Sequence, residues 1–262
     1  TLFARVMRKQ NIQIKTELGG LPNAVRITIP EDLSAIEPAL QLILAPELLA
    51  FDMDGVLIDT SKSYDQCIIQ TVAALTDQSP TQADIEATRA RGGFNNDWVL
   101  AAELVSQQNV SVDFETVVDT FQRLYLGDAN NPGLVQAEVN LLRQPLKQQV
   151  FGGELVSAVV TGRPRQEALQ GVSQLNINPD YVVSADDVKK QKPDPEGLQS
   201  VMQQSNTSRT WFCGDTVDDM QAGSAAGCVC IGIATSQSAS ENLTQAGADV
   251  VLENINQLES LL

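Results

Sequence analysis

Six short apolar or β-branched runs, each closed by polar turn residues, set the strongest constraint on what this chain can fold into. They are LLAFDMD, LVSAVVTG, YVVSADD, TWFCGD, VCIGIA and DVVLEN, spread between Leu48 and Asn254. Helical-length stretches separate most of them, which is the alternation of a parallel sheet with helices on both faces. The expected fold is α/β, a doubly wound parallel sheet with a Rossmann-like core. Between the first run and the second lie about a hundred residues with helical periodicity and no convincing strand. That gap is too long for one crossover, so it reads as an inserted α-helical cap. The expected divisions are a strand-helix extension over 1–47, a core formed by 48–60 with 146–262, and a cap over 61–145.

Composition narrows the function. Of 262 residues, 43% are hydrophobic and 19% are charged, which suits a globular chain able to bury a core. A formal charge of −16 repels nucleic acid and anionic lipid, whose binding needs clustered Lys and Arg. No run approaches the roughly 18 apolar residues of a membrane span. The chain starts without Met or a signal-peptide pattern, so no targeting is read there. The expectation is a cytoplasmic protein with no nucleic-acid or membrane partner. Cys67, Cys213, Cys228 and Cys230 form no CxxC pair, which indicates reduced, mostly buried thiols rather than a zinc or disulfide framework. There is no histidine. Ser-His-Asp triads, Cys-His pairs and HExxH sites are thereby excluded, and chemistry must run on carboxylates, hydroxyls, amines or thiols.

Such groups gather at the ends of the runs. In FDMDGVLIDT, a strand leads into Asp52 and then Asp54, which period two aims the same way, while Gly55 lets the backbone turn. Two carboxylates at a strand's carboxyl end can hold a hard cation and supply a nucleophile. Alone, such a pair is more often a loop or capping pair. The second run ends in Thr161 and Gly162, a hydroxyl and an approachable N–H. KKQKPDPEG sets Lys192 before a Pro-rich turn, with Lys189 and Lys190 as alternatives. TWFCGD delivers Asp215 and then Asp219, a pair that would also pass as helix-capping acids. Five of the twelve basic residues after position 47 fall between Arg163 and Lys192, so the field there is less hostile to phosphate than the net charge implies.

The ordered set DMDGVLIDT, VTG, KPDPEG and GDTVDDMQAGSAAG resembles the haloacid dehalogenase superfamily of phosphohydrolases over Leu48 to Leu262. The helical insertion is similar to the cap of its phosphoglycolate phosphatase and β-phosphoglucomutase branch. The resemblance implies a phosphatase for a small phosphorylated metabolite, working through an aspartyl phosphate, as monomer or homodimer. It implies Asp52 as nucleophile and Asp54 as proton donor and acceptor. Mg²⁺ would be held by Asp52, the Asp54 carbonyl and Asp215, with Asp219 a ligand directly or through water. Lys192, Thr161 and the Gly162 N–H would neutralise the transferring oxygens. Arg163 stands where the family has a small polar residue, and is left between contact with substrate and exposure to solvent. In the cap, RGGFNNDW offers Arg91 and Asn95 as residues that read the leaving group, or alternatively a helix connection with Trp98 packed inside. A β-phosphoglucomutase-type mutase shares every core residue, and a non-catalytic phosphate or metal-binding module would keep the same fold.

The segment GGLPNAVRITIPEDLSAIEPALQLIL reads as one strand, Ala24 to Ile29, and one helix through Leu33, Ile36, Leu40, Leu42 and Ile43. It resembles the last strand and helix of the small domain of histidinol-phosphate aminotransferases, with Arg26 matching a substrate-anion arginine. That resemblance implies a fusion remnant and suggests histidinol phosphate as a substrate. The plain alternative is a strand-helix extension packed on the core.

Overall fold

A computed structural model of the chain describes residues 15–18, 25–28, 46–91, 94, 96–128, 130–153 and 155–262. Lys15–Leu18 (β1) and Val25–Thr28 (β2) pair antiparallel, with Leu18 opposite Val25. β2 falls inside the expected strand, whereas the expected helix through Ile43 lies outside the described residues. The first apolar run becomes β3 (Leu48–Phe51), buried along its whole length.

The chain then divides into two compact units, Ile58–Asn140 and the segments flanking it. The first contains four helices among the described residues: α1 (Tyr64–Thr76), α2 (Gln82–Ala90), α3 (Asp97–Gln107) and α4 (Phe114–Leu126). Their starts follow from side chains that accept the orphan first-turn N–H groups: Thr81 with Asp84 in a capping box, Asn96 on α3, and Asp113 on α4. Ile68, Val72, Ile85, Leu100, Phe121 and Tyr125 form its core, with Tyr64 stacked on Tyr125 at 4.7 Å. Each such side chain, fully buried, is worth roughly 1.5–3 kcal/mol. Arg89 ties α2 to its neighbours through Asp65 and Asp97, both at 2.8 Å. Ile58–Asp59 (β4) pairs antiparallel with Val139–Asn140 (β5) at the ends of this unit. The unit therefore starts before the expected Ser61 and ends before Pro145, and it includes strand where the sequence reading found none. Strands of two residues carry no period to read.

The second unit continues with α5 (Leu146–Phe151), β6 (Val156–Val160), α6 (Arg165–Leu175), β7 (Tyr181–Val183), α7 (Glu196–Ser205) and β8 (Thr210–Gly214). It ends with α8 (Val217–Ala226), β9 (Val229–Ile233), α9 (Gln237–Ala246) and β10 (Val250–Leu252). The six apolar runs thus become one parallel sheet of order β10-β9-β8-β3-β6-β7. Residues of β8 and β9 are buried throughout, while β7 and β10 at the edges are partly open, as expected for strands covered on both faces only near the centre. On one face Leu48, Ala50, Ala158, Val160 and Phe212 meet Leu198, Val201 and Ala222 of α7 and α8. The chain passes from β3 to β6 and β7 on one side, then returns to β8 on the other. β3 is therefore the topological switch point, where sheets of this class bind their ligands.

Candidate active site

Register gathers the functional side chains. Phe51 lies opposite Val159 on β6 and opposite Cys213 on β8. The next residue, Asp52, donates its N–H to the Cys213 carbonyl at 2.8 Å. Thr161 and Asp215 follow one residue past the ends of β6 and β8, so all three leave the sheet at the same edge. Gly55, at φ +72°, turns the chain immediately beyond.

One carboxylate oxygen from each of Asp52, Asp215 and Asp219 lies within 4.8 Å of the others. Two oxygens opposite each other in an octahedron of ~2.1 Å bonds are about 4.2 Å apart, so this set can converge on one hard cation with small adjustments. Oxygen donors of this hardness suit Mg²⁺, and the charge balance does too, since three carboxylates face one ammonium. Burial, reinforced by the Asp219 and Asp54 charges, pushes the Asp52 carboxyl up to about 7 despite the Lys192 ammonium. Asp215 is held well above the usual range by burial first and then by the Asp219 and Asp52 charges. Carboxylates so crowded need positive charge to remain ionised together.

Lys192 supplies part of it. Its Nζ stands 2.7 Å from Asp52 Oδ1 and 2.6 Å from Asp219 Oδ1, above the Phe212 ring at 5.8 Å. Burial opposes its charge, but the Asp219 and Asp52 carboxylates outweigh that and raise the ammonium above its ordinary value. Lys189 and Lys190 instead donate their backbone N–H groups to Glu196, and Lys190 Nζ lies 3.5 Å from Asp194, so neither takes this position.

Asp219 is fully buried in the first turn of α8, where its Oδ2 accepts from the Thr216 N–H at 3.0 Å and hydroxyl at 2.6 Å. Thr216 in turn caps Asp219 N–H. The capping reading and the functional one thus hold together: the cap fixes Asp219, and its Oδ1, which receives no well-aligned hydrogen bond, faces the Lys192 charge. Thr216 and Phe212 were not singled out from the sequence; the Thr216-x-x-Asp219 spacing was the available signal for the first.

Thr161 is buried and its Oγ1 accepts from the Arg163 N–H at 3.1 Å; Gly162 is exposed, with no atom within 4 Å of where a Cβ would stand. Arg163 is neither exposed nor turned outward. Its side chain is 2% exposed and grips Asp54: Nη2 to Oδ1 at 2.6 Å, Nε to Oδ1 at 2.9 Å and to Oδ2 at 3.2 Å. In the helical unit, Arg91 is exposed, pairs with Glu103 at 3.0 Å and lies 5.1 Å from the Phe94 ring centre, while Trp98 packs against the local core. Asn95 lies outside the described residues.

The profile of the haloacid dehalogenase-like hydrolases matches residues 49–233. The chain belongs to that family. This haloacid dehalogenase-like hydrolase is 26% identical over 234 residues to a phosphoglycolate phosphatase of Pseudomonas fluorescens, covering 86% of the chain and 83% of that protein. It is 34% identical over 224 residues to an imidazoleglycerol-phosphate dehydratase of Phytophthora nicotianae, covering 80% of the chain but only 48% of that relative's length. Among solved structures, a predicted phosphoglycolate phosphatase of Haemophilus somnus superposes with TM-score 0.66 at 15% identity, covering 82% of the chain and 97% of the other. A Thermotoga maritima protein described provisionally as a β-phosphoglucomutase gives TM-score 0.61 at 23% identity, with 82% and 99% covered. The chain thus carries that family's hydrolase domain on a Rossmann-like fold. Among the described residues no helix is long and apolar enough to cross a membrane.

Proposed function

We propose that this chain is a Mg²⁺-dependent phosphatase that hydrolyses a small phosphate monoester through an aspartyl phosphate on Asp52. The observation that carries the reading is the convergence of Asp52, Asp215 and Asp219 at the switch point, with Lys192 bridging Asp52 and Asp219. Asp52, Asp215 and the Asp54 carbonyl would hold the ion, with Asp219 supporting it directly or through water. Bound Mg²⁺ would offset the repulsion between a carboxylate nucleophile and an anionic phosphate.

Asp52 attacks phosphorus through its carboxylate, and the ester P–O bond breaks as the new bond forms. Asp54 gives a proton to the departing alkoxide oxygen. In the second step a water attacks the phosphoryl group, Asp54 takes up its proton, and inorganic phosphate leaves with Asp52 restored. Lys192 holds Oδ1 of Asp52 at 2.7 Å, which orients the other oxygen for attack. Thr161 accepts the Arg163 N–H, so its own hydroxyl proton can be given to a phosphoryl oxygen beside the Gly162 N–H. The four buried cysteines, which form no disulfide, are consistent with work in a reducing, cytoplasmic compartment.

An imidazole-bearing phosphate ester such as histidinol phosphate is the substrate we put first, supported by the name of the Phytophthora relative and the aminotransferase-like amino-terminal segment. The test is phosphate release from histidinol phosphate, phosphoglycolate and sugar phosphates, with and without Mg²⁺, for the native chain and Asp52→Asn. Magnesium-dependent release lost on substitution is expected. Phosphoryl transfer back to a sugar, with no release, would replace the phosphatase by a mutase. Histidinol phosphate cleaved no faster than an aryl phosphate would remove it as the substrate.

A further inference from the structure

The guanidinium of Arg163 makes its three contacts on Asp54 unevenly. Oδ1 receives two of them, from Nη2 at 2.6 Å and Nε at 2.9 Å, while Oδ2 receives one, from Nε at 3.2 Å. A carboxylate oxygen offers about two lone-pair directions. The Arg163 fork therefore fills those of Oδ1 and leaves one on Oδ2. The arginine is itself held: its N–H donates to Thr161 Oγ1 at 3.1 Å, its carbonyl accepts from Ala185 N–H at 2.9 Å, and its side chain is 2% exposed. The Asp54 side chain is 33% exposed. A buried arginine anchored at both backbone groups is a fixed jig, and the more open carboxylate is the part it sets.

We propose that Arg163 is a positioning residue that pins Oδ1 of Asp54 and leaves Oδ2 as the oxygen that exchanges the proton. This rests on the phosphatase reading above. A planar two-nitrogen donor fixes both the place and the rotation of a carboxylate, which an ammonium cannot do. Misplacing a proton-transfer group costs rate while leaving substrate binding nearly intact.

The test is a double-mutant cycle on kcat and KM with Arg163→Met, Arg163→Lys, Asp54→Asn and Arg163→Met/Asp54→Asn, using the best substrate found. Mg²⁺ binding by calorimetry checks that each variant is folded. Asp54→Asn is expected to lower kcat on the order of 10²–10⁴-fold, the usual contribution of such a group. Arg163→Met should lower kcat at least tenfold with KM within about threefold, Arg163→Lys should recover part of that, and the double variant should be no worse than Asp54→Asn alone. Losses that multiply, or a loss confined to KM, overturn the inference while the phosphatase reading stands. A native chain that releases no phosphate overturns both.

Discussion

A Cβ built on Gly55 would stand 2.0 Å from Oδ2 of Asp215, so the carboxylate occupies the space where any other residue's side chain begins. Gly55 also sits at φ +72°, which costs an L-residue roughly 1–2 kcal/mol. Gly55→Ala must therefore push Asp215 away from Asp52 or twist the loop that carries Asp54. The expected result is a folded protein whose Mg²⁺ affinity falls at least tenfold and whose phosphate release is lost. Calorimetric Mg²⁺ titration beside far-ultraviolet circular dichroism measures both, and native affinity in the variant would contradict the packing argument.

Asp52 separates activity from stability. Its folded carboxyl is raised to about 7 from 3.8, chiefly by burial. Between those values the metal-free native state keeps a proton that the unfolded state has released, so stability is present at low pH and lost as pH rises through that window. Asp52→Asn removes the titration. In EDTA the variant should come nearest the native chain at about pH 3.5, below the unfolded carboxyl's value, and melt several degrees higher near pH 8, while showing no turnover. A melting-temperature gap that does not widen with pH would refute this.

Much of the site was legible because its residues stand at strand ends, where sequence order alone delivers them to one edge of the sheet. Asp52, Thr161 and Asp215 each follow an apolar run directly, and the switch-point topology brings the three runs side by side. Lys192 could not be told from Lys189 and Lys190 by spacing, because the choice depends on which ammonium reaches Asp52 across 140 positions. The grip of Arg163 on Asp54 spans 109 positions and has no periodic signature. The β4 and β5 pair escaped for another reason: at two residues each, pairing stabilises them and local pattern does not.

Lys192 should matter to the fold as well as to phosphate. With its Nζ removed, the buried carboxylates of Asp52 and Asp219 lose their common counter-charge. Breaking one side of a buried ion pair costs about 3–5 kcal/mol, mostly through the charge left behind. Lys192→Met in metal-free buffer is expected to lose stability of that order, and Lys192→Met/Asp219→Asn to regain part of it. Denaturant titration of both variants decides the matter; a double variant no more stable than the single one would mean that Asp219 is not the uncompensated charge.

The cysteines make a prediction independent of catalysis. All four are buried and outside any disulfide, and burial pushes the Cys213 thiol, on the strand leading to Asp215, far up, with Cys230 adding to the effect. A native chain treated with a thiol-reactive dye at pH 8 should react slowly at all four positions and quickly once unfolded, because the reactive thiolate is scarce and inaccessible. The same shift has a stability consequence at high pH. Above about 9 the unfolded chain releases the Cys213 proton while the native chain keeps it, so the contribution held below that pH is lost as pH climbs. Cys213→Ala should lower stability at neutral pH by opening space in the sheet's core, yet lose less of its remaining stability between pH 8.5 and 10.5 than the native chain. Parallel denaturant curves at the two pH values measure this difference, and equal losses in both proteins would show that Cys213 does not titrate in the unfolded chain as required.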